Sequence, residues 1–412
     1  MTSRPSSVEN HREASPTRRE GAAWLVLVIL LLFSISAPLN QFKVPPIMPV
    51  LMAWLKVSVG QAGLLMSVYA ITGLVLALPA GLIFQKAGYR LTSLLAGGSI
   101  VVGAGLGAIS PDMTGLLVSR VIEGIGTSFM AVLAPAVIAM WFRPRSRGAA
   151  MGVWSTWVPI GSTAMLIAAP LLTQASRWQT VWWIGGAYAL AATVLALTLV
   201  KLGPESADTD TAAVSVIPPQ AISTAQVLRR RDLWLLSLAF GCFNMVVLAT
   251  ATYLPTFLNL VRGMSLPRAG LLTSIPSMVS IVLGPASGAL SDRIGSRKRP
   301  YLAGLVLLAV AMPLVVVTAH PGALLILFIV QGLAFGLVPT NIFSAGVEVV
   351  GDERLGGLAM AVIMVGQNAG FLLGPIIFGA LVESAGGWPL AFGSLAVMSL
   401  VGAAAGWLTR VK

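Results

Sequence analysis

The feature that most limits what this chain can become is its division into apolar blocks of about twenty or more residues, the length a helix needs to cross a hydrocarbon layer of roughly 30 Å. Apolar runs between charged or turn-rich breaks give spans near 22–52, 60–84, 91–110, 112–142, 148–173 and 179–201, then 232–261, 268–290, 299–319, 321–349, 354–383 and 387–409. Water could not hold such a chain in solution. Of its 412 residues 57% are hydrophobic and 10% charged, against roughly a quarter charged in an average soluble domain. The fold class expected is an all-α integral membrane protein with twelve transmembrane helices.

The polar remainder divides the chain. Residues 1–21 form a tail carrying both signs of charge, and residues 202–231 contain Pro, Ser, Thr and Asp and end in Arg229-Arg230-Arg231. We expect an N-terminal tail (1–21), a six-helix bundle (22–201), a linker (202–231) and a second six-helix bundle (232–409). The first block is far longer than a signal-peptide core and lacks a small-residue cleavage site, so it reads as a retained span.

The net charge of +12 does not point to nucleic acid, because the basic residues lie between apolar blocks rather than on a folded polar surface. With the N-terminus inside, 20 of the 26 Lys and Arg fall in cytoplasmic segments, 4 outside (Lys56, Arg177, Arg262, Arg268) and 2 within spans (Lys43, Arg120). Short cytoplasmic loops hold excess Lys and Arg, so both termini are expected in the cytoplasm. A single cysteine, Cys242, and two histidines, His11 and His320, leave no material for a disulfide framework, a metal site or a histidine-based triad. No cofactor, metal or enzymatic activity is expected.

The chain repeats itself. Ala62-Gly63-Leu64-Leu65-Met66-Ser67 recurs as Ala269-Gly270-Leu271-Leu272-Thr273-Ser274. At the same offset of 207 residues Gly81, Gly88 and Arg90 recur as Gly288, Gly295 and Arg297, and Pro49 matches Pro255 at 206. Six spans per copy is an even number, so both copies enter from the same side, as in transporters whose substrate site lies between parallel repeats.

The loop after the second span reads Gly81-Leu82-Ile83-Phe84-Gln85-Lys86-Ala87-Gly88-Tyr89-Arg90; the loop after the eighth reads Gly288-Ala289-Leu290-Ser291-Asp292-Arg293-Ile294-Gly295-Ser296-Arg297-Lys298. Here the chain resembles the major facilitator superfamily, whose loops carry glycine, an aspartate, a basic residue, a second glycine and further basic residues. The second half matches in full, while Gln85 stands where the family usually has the aspartate. The first glycine should let two helices approach, the second permit a tight turn, and Asp292 cap a neighbouring helix N-terminus. The resemblance implies a cytoplasmic latch, two six-helix bundles rocking about a midplane site, and a monomer in the cell inner membrane.

Several intramembrane polar residues are candidates for the substrate or coupling site. The fourth span carries Arg120-Val121-Ile122-Glu123-Gly124-Ile125-Gly126, similar to the family's pattern in that span, with Arg120 and Glu123 on one helix face. Buried charges in lipid face a cavity or pair. The second half has Gln331 near the Glu123 position and no match to Arg120. In the first span Asn40-Gln41-Phe42-Lys43 precede Pro45, Pro46 and Pro49, which bend or break the helix. Lys43 is either deep, as its alignment near Ala249 suggests, or snorkelling to the outer surface. Trp154 and Trp157 wall the site or face lipid; Asn244, Asn341, Gln367 and Asn368 bond substrate or join helices. Gly366, Gly370 and Gly374 form a stripe expected as a packing and rocking face, and Trp178, Trp182, Trp183, Trp388 and Phe392 read as outer interface anchors.

Two cations against one acid suit an anionic solute. The expected function is secondary transport of a small organic or inorganic anion, coupled to protons or to a solute gradient. Efflux of hydrophobic drugs is the rival within transport, and a non-transporting membrane receptor the rival outside it. No Gly-x-x-x-x-Gly-Lys-Ser/Thr loop is present, so ATP is not the direct energy source.

Overall fold

The computed structural model describes residues 16–200, 228–350 and 356–411; most of the expected tail and linker lie outside them. Among the described residues twelve helices are long and apolar enough to cross a membrane: Gly21–Leu55, Val59–Leu76, Lys86–Ile109, Met113–Trp141, Ser146–Ala175 and Gln179–Leu199, then Arg231–Leu260, Leu266–Ile294, Lys298–Val317, Pro321–Val350, Leu358–Glu383 and Gly387–Trp407. We number them spans one to twelve.

Local chemistry sets where they begin and turn. Span two opens with a capping box, Ser58 accepting from the Gln61 amide while the Gln61 side chain accepts from the Ser58 amide. Asp112 caps span four through the Gly115 amide at 2.8 Å. Two helices meet between Val59 and Ile109, and the chain kinks from one to the next at Gly88 (φ 70°, ψ −177°), a non-helical conformation open to glycine alone. Span eight stops at Gly295, which is left-handed (φ 65°). Both motif glycines therefore make the turns that their sequence position implies.

The repeat is visible in the packing. In the first half Gly124 crosses span two so closely that a Cβ there would lie 2.1 Å from Thr72 Oγ1 and 2.8 Å from the Tyr69 carbonyl. In the second half Gly332 crosses span eight the same way, against Val279 Cβ at 2.6 Å and the Pro276 carbonyl at 3.0 Å. Thr72 and Val279, like Tyr69 and Pro276, are 207 residues apart. Small residues let helix backbones approach where lipid gives no hydrophobic force between them.

The halves meet through two swapped pairs, span two on span eleven and span eight on span five. Gly63 leaves room for the Tyr253 hydroxyl of span seven, and Gly270 leaves room for the Leu166 carbonyl of span five. The recurring Ala-Gly-Leu-Leu element is thus the inter-half contact in both copies. Gly60 donates its amide to Glu383 Oε1 at 2.7 Å, and Ser162 Oγ donates to Ser277 Oγ at 3.4 Å. These contacts run from the face carrying Lys56, Arg177 and Arg262 to about mid-depth. Among the described residues no hydrogen bond, ion pair or close glycine approach joins the halves nearer the face of the Arg143, Arg147 and Arg297 loops. Among the described residues, the contacts that join the bundles thus lie toward the sparsely charged face. Leu25, Val102, Leu190, Val310, Val317 and Ile326 are exposed around the perimeter, as a lipid-facing belt requires.

Candidate functional site

Span one is three pieces: a helix to Gln41, a 3-10 turn Pro45–Ile47 and a short helix Met48–Leu55. Pro45 has no N–H to offer the Gln41 carbonyl four residues back, so the break leaves acceptors deep in the bundle. Arg120 of span four takes them. Its Nη2 donates to the Gln41 carbonyl at 2.7 Å and its Nη1 to the Asn40 carbonyl at 2.7 Å, while Nε donates to the Leu65 carbonyl of span two at 3.1 Å. One guanidinium thereby ties spans one, two and four, using donors in a fixed fork that no lysine has.

Lys43 follows the helix end, where a cation is favoured by the C-terminal dipole. Its Nζ lies 2.5 Å from Glu123 Oε1, and Arg120 Nη1 lies 2.5 Å from Glu123 Oε2, so each carboxylate oxygen holds one cation. All three side chains are fully buried. Lys43 also donates to Asn40 Oδ1 at 3.1 Å; Asn40 Nδ2 is fixed by the Ser36 and Gly185 carbonyls at 2.8 and 3.1 Å. Two aromatic faces complete the shell, Trp182 with its ring centre 4.6 Å from Lys43 Nζ and Tyr69 with its ring centre 4.5 Å from the Arg120 guanidinium carbon. Such cation–π contacts are worth about 2 kcal/mol when desolvated. Formal charges on the cluster leave one positive charge in excess. Lys43 is thus in the core of the first half and not at the outer surface.

The tryptophans depart from expectation. Trp182 is fully buried and Trp178 nearly so; they lead inward from the exposed Trp54, Trp178 tilted on Trp54 with ring centres 4.9 Å apart and Trp182 edge-to-face with Trp178 at 5.1 Å. Of Trp178, Trp182 and Trp183, only Trp183, 53% exposed, sits where an interface anchor would, and Trp388 is half-buried. Phe392 is buried in an aromatic cluster with Phe257, Phe378 and Trp388. Adjacent helical positions point about 100° apart, so one neighbour faces the bundle and the other lipid. Trp154 is buried, stacks on Trp157 at 5.4 Å and donates to Ser34 Oγ at 3.0 Å, which places it on span one.

In the second half Asn244 donates to the Phe240 carbonyl and Asn341 to Ser287 Oγ, both at 2.7 Å, with Asn341 Oδ1 unpaired. Gln367 Oε1 is also unpaired, and Asn368 donates to the Met364 carbonyl at 2.9 Å with its oxygen turned on Gly73 of the other half. None of these four joins the Lys43 cluster. The glycine stripe of span eleven packs against span seven: Cβ atoms at Gly366, Gly370 and Gly374 would meet the Ser237, Gly241 and Met245 carbonyls at 1.9, 2.2 and 2.6 Å. It is a packing face within one half, not a rocking face between halves.

The loop motif is likewise internal to the second half. Asp292 pairs with Arg297 at 2.6 Å instead of capping a neighbouring helix, and Arg297 Nε donates to Glu348 at 2.9 Å. Those bonds, Glu348 foremost, raise the Arg297 pKa above its ordinary value. Gly288 has only an ordinary 3.5 Å contact with Thr340, so helix approach does not demand it here. Arg293 and Arg90 are exposed, and Gly81 lies in the helix before the Gly88 kink.

Sequence reasoning noticed Gln331 but did not place it in the site. It is buried and lines a small cavity between the halves with Phe42 and Leu166 from the first half and Thr250, Thr273 and Phe335 from the second. Phe42 precedes Lys43, so the cavity and the charged cluster share the broken span. The signal available in sequence was its register with Glu123.

The family model described as Major Facilitator Superfamily matches residues 28–356 and again 262–412. The chain is 24% identical over 392 residues to the probable sulfoacetate transporter SauU of Cupriavidus necator, covering 89% of each. It is 22% identical over 392 residues to the hexuronate transporter of Bacillus subtilis, covering 91% of this chain and 92% of that one. With an efflux pump of Mycolicibacterium smegmatis it shares 28% over 312 residues, covering 72% and 71%. A solved bacterial homolog of the human lysosomal transporter Spinster, inward-facing and unoccupied, superposes with a TM-score of 0.79 at 15% identity, covering 96% of this chain and 98% of that one. The nucleoside transporter NupG superposes at 0.75 with 16% identity, covering 93% and 100%.

Proposed function

The chain belongs to the major facilitator superfamily and is a multi-pass solute transporter, and we propose that its solute is a small organic anion moved by alternating access. The observation that carries this reading is the fully buried cluster in which two cations share one carboxylate. An uncompensated charge in a low-dielectric interior is costly, and an anion arriving beside it supplies the missing countercharge. Two relatives are named for acids, a sulfoacetate and a hexuronate transporter, which agrees in chemistry.

The two cations have different parts in this reading. Arg120 is pinned by three backbone carbonyls and holds the broken span in place. Lys43 sits on the break itself, next to the cavity wall at Phe42, on a flexible stem. It is the group that exchanges Glu123 for the solute's acid group. With the basic loops in the cytoplasm, the side without these contacts between the halves opens inward and the Gly60–Glu383 side is the closed outer gate. Rocking the halves would break the outer contacts and form inner ones, with a proton or solute gradient setting direction.

The test is uptake into proteoliposomes of sulfoacetate and hexuronates, with and without an imposed proton gradient, by wild type and Lys43→Ala. Saturable wild-type uptake that falls at least tenfold in the variant supports the reading. Stabilisation of the purified protein by cationic drugs, undiminished in Lys43→Ala and without anion uptake, would replace it with efflux.

A further inference from the structure

We infer that Gln331 is the second pole of the solute site and accepts a hydrogen bond from a hydroxyl on the anion, so that the transporter selects hydroxylated organic acids over bare ones. This rests on the anion reading above and adds which anions are preferred. Gln331 is 1% exposed, its Oε1 has no hydrogen-bond partner among the described residues, and it lines a cavity that Phe42, the residue before Lys43, also lines. A buried amide oxygen without a donor is an unfavourable arrangement unless something that enters the cavity completes it.

Two neighbouring hydroxyls have already committed their protons. Thr273 Oγ1 donates to the Ala269 carbonyl at 2.8 Å and Thr250 Oγ1 to the Met312 sulfur at 3.5 Å. Gln331 Oε1 is the fully buried oxygen in this lining that receives no hydrogen bond among the described residues.

Its position is tied to the charged cluster by the repeat. Gly332, the next residue, crosses span eight as Gly124, next to Glu123, crosses span two. The crossing fixes the register, so Gln331 and Glu123 hold equivalent places on opposite sides of the molecule's centre. One side offers cations held on a carboxylate, the other a neutral acceptor. A solute with an acid group at one end and a hydroxyl at the other satisfies both, whereas an acid without a hydroxyl leaves Gln331 as it is. Sites built around a buried hydrogen bond discriminate strongly against ligands that lack the matching group.

Glucuronate and cyclohexanecarboxylate provide the test, since both are six-membered-ring monoanions and only the first carries hydroxyls. Uptake of each into proteoliposomes is measured for wild type and for Gln331→Met, which keeps length and removes the acceptor. Wild type should favour glucuronate in kcat/KM, and the preference should fall roughly tenfold or more in the variant while cyclohexanecarboxylate uptake persists. Persisting uptake of the hydroxyl-free acid shows that the variant is folded. An unchanged ratio, or equal loss for both acids, overturns the inference and leaves the anion reading standing. Uptake of neither acid by wild type counts against both.

Discussion

The first and second halves share a backbone plan and differ in where they bury charge. Gly124 on Thr72 and Tyr69 is matched by Gly332 on Val279 and Pro276, so the helix crossing nearest the centre is the same in both. Around that crossing the first half holds Lys43, Arg120 and Glu123 without exposed area, while the second has Gln331 beside the crossing and Ala249 at the aligned position in span seven. At the loop motif the asymmetry reverses. Asp292 pairs with Arg297 in the second half, and the first has the neutral Gln85 in the equivalent position. Helix-crossing geometry is common property of the two copies; ionic chemistry is assigned to one copy at a time.

The largest effect should come from making the first half resemble the second at its centre. Glu123→Gln leaves two cations buried without a countercharge, and losing one partner of a buried pair costs about 3–5 kcal/mol. The apparent melting temperature in detergent should fall well below wild type; a melting curve superimposed on wild type would mean that the cluster is not what holds the first half. Next come the shared crossings. Gly124→Ala and Gly332→Ala should each cost about 1–3 kcal/mol by overpacking, and similarly, because the obstructing backbone is equivalent. A large loss in only one would break the symmetry argued from packing. The smallest effect is expected from Asp292→Asn, which makes the second-half loop match the first. Its partner Arg297 keeps Glu348 and the pair is solvent-exposed, so stability should move by less than about 1 kcal/mol. Cysteine labelling from each side then reports whether the variant changes which face is open.

Much of this plan was legible in the sequence. Twelve blocks of sufficient length, the prolines at 45, 46 and 49 in span one and a fixed repeat offset lead to twelve helices, a broken first span and paired halves. The glycines at 88 and 295 were readable because only the turn they make explains their place. Partnerships were another matter. Lys43 and Glu123 are 80 positions apart, and nothing local states that one oxygen of Glu123 would serve each cation. The span-eleven stripe announced a close approach without saying that span seven fills it. Trp182 and Trp183 are alike in type and adjacent in sequence, yet one is buried and the other faces outward, a difference set by helix rotation against neighbours. Recurrence of the Ala-Gly-Leu-Leu element was noticed as evidence of duplication; its use, a glycine that accepts the opposite half in both copies, needed the tertiary contacts.

The placement of Trp182 has a practical corollary. An indole reports the electric field around it in its fluorescence, because its excited state has a larger dipole than its ground state. Lys43 lies 4.6 Å above that ring. If the ammonium leaves Glu123 during transport, the field at Trp182 changes with it, and the difference spectrum between wild type and Trp182→Phe records the movement without an attached dye. The protein carries its own voltmeter beside the charge it is proposed to move.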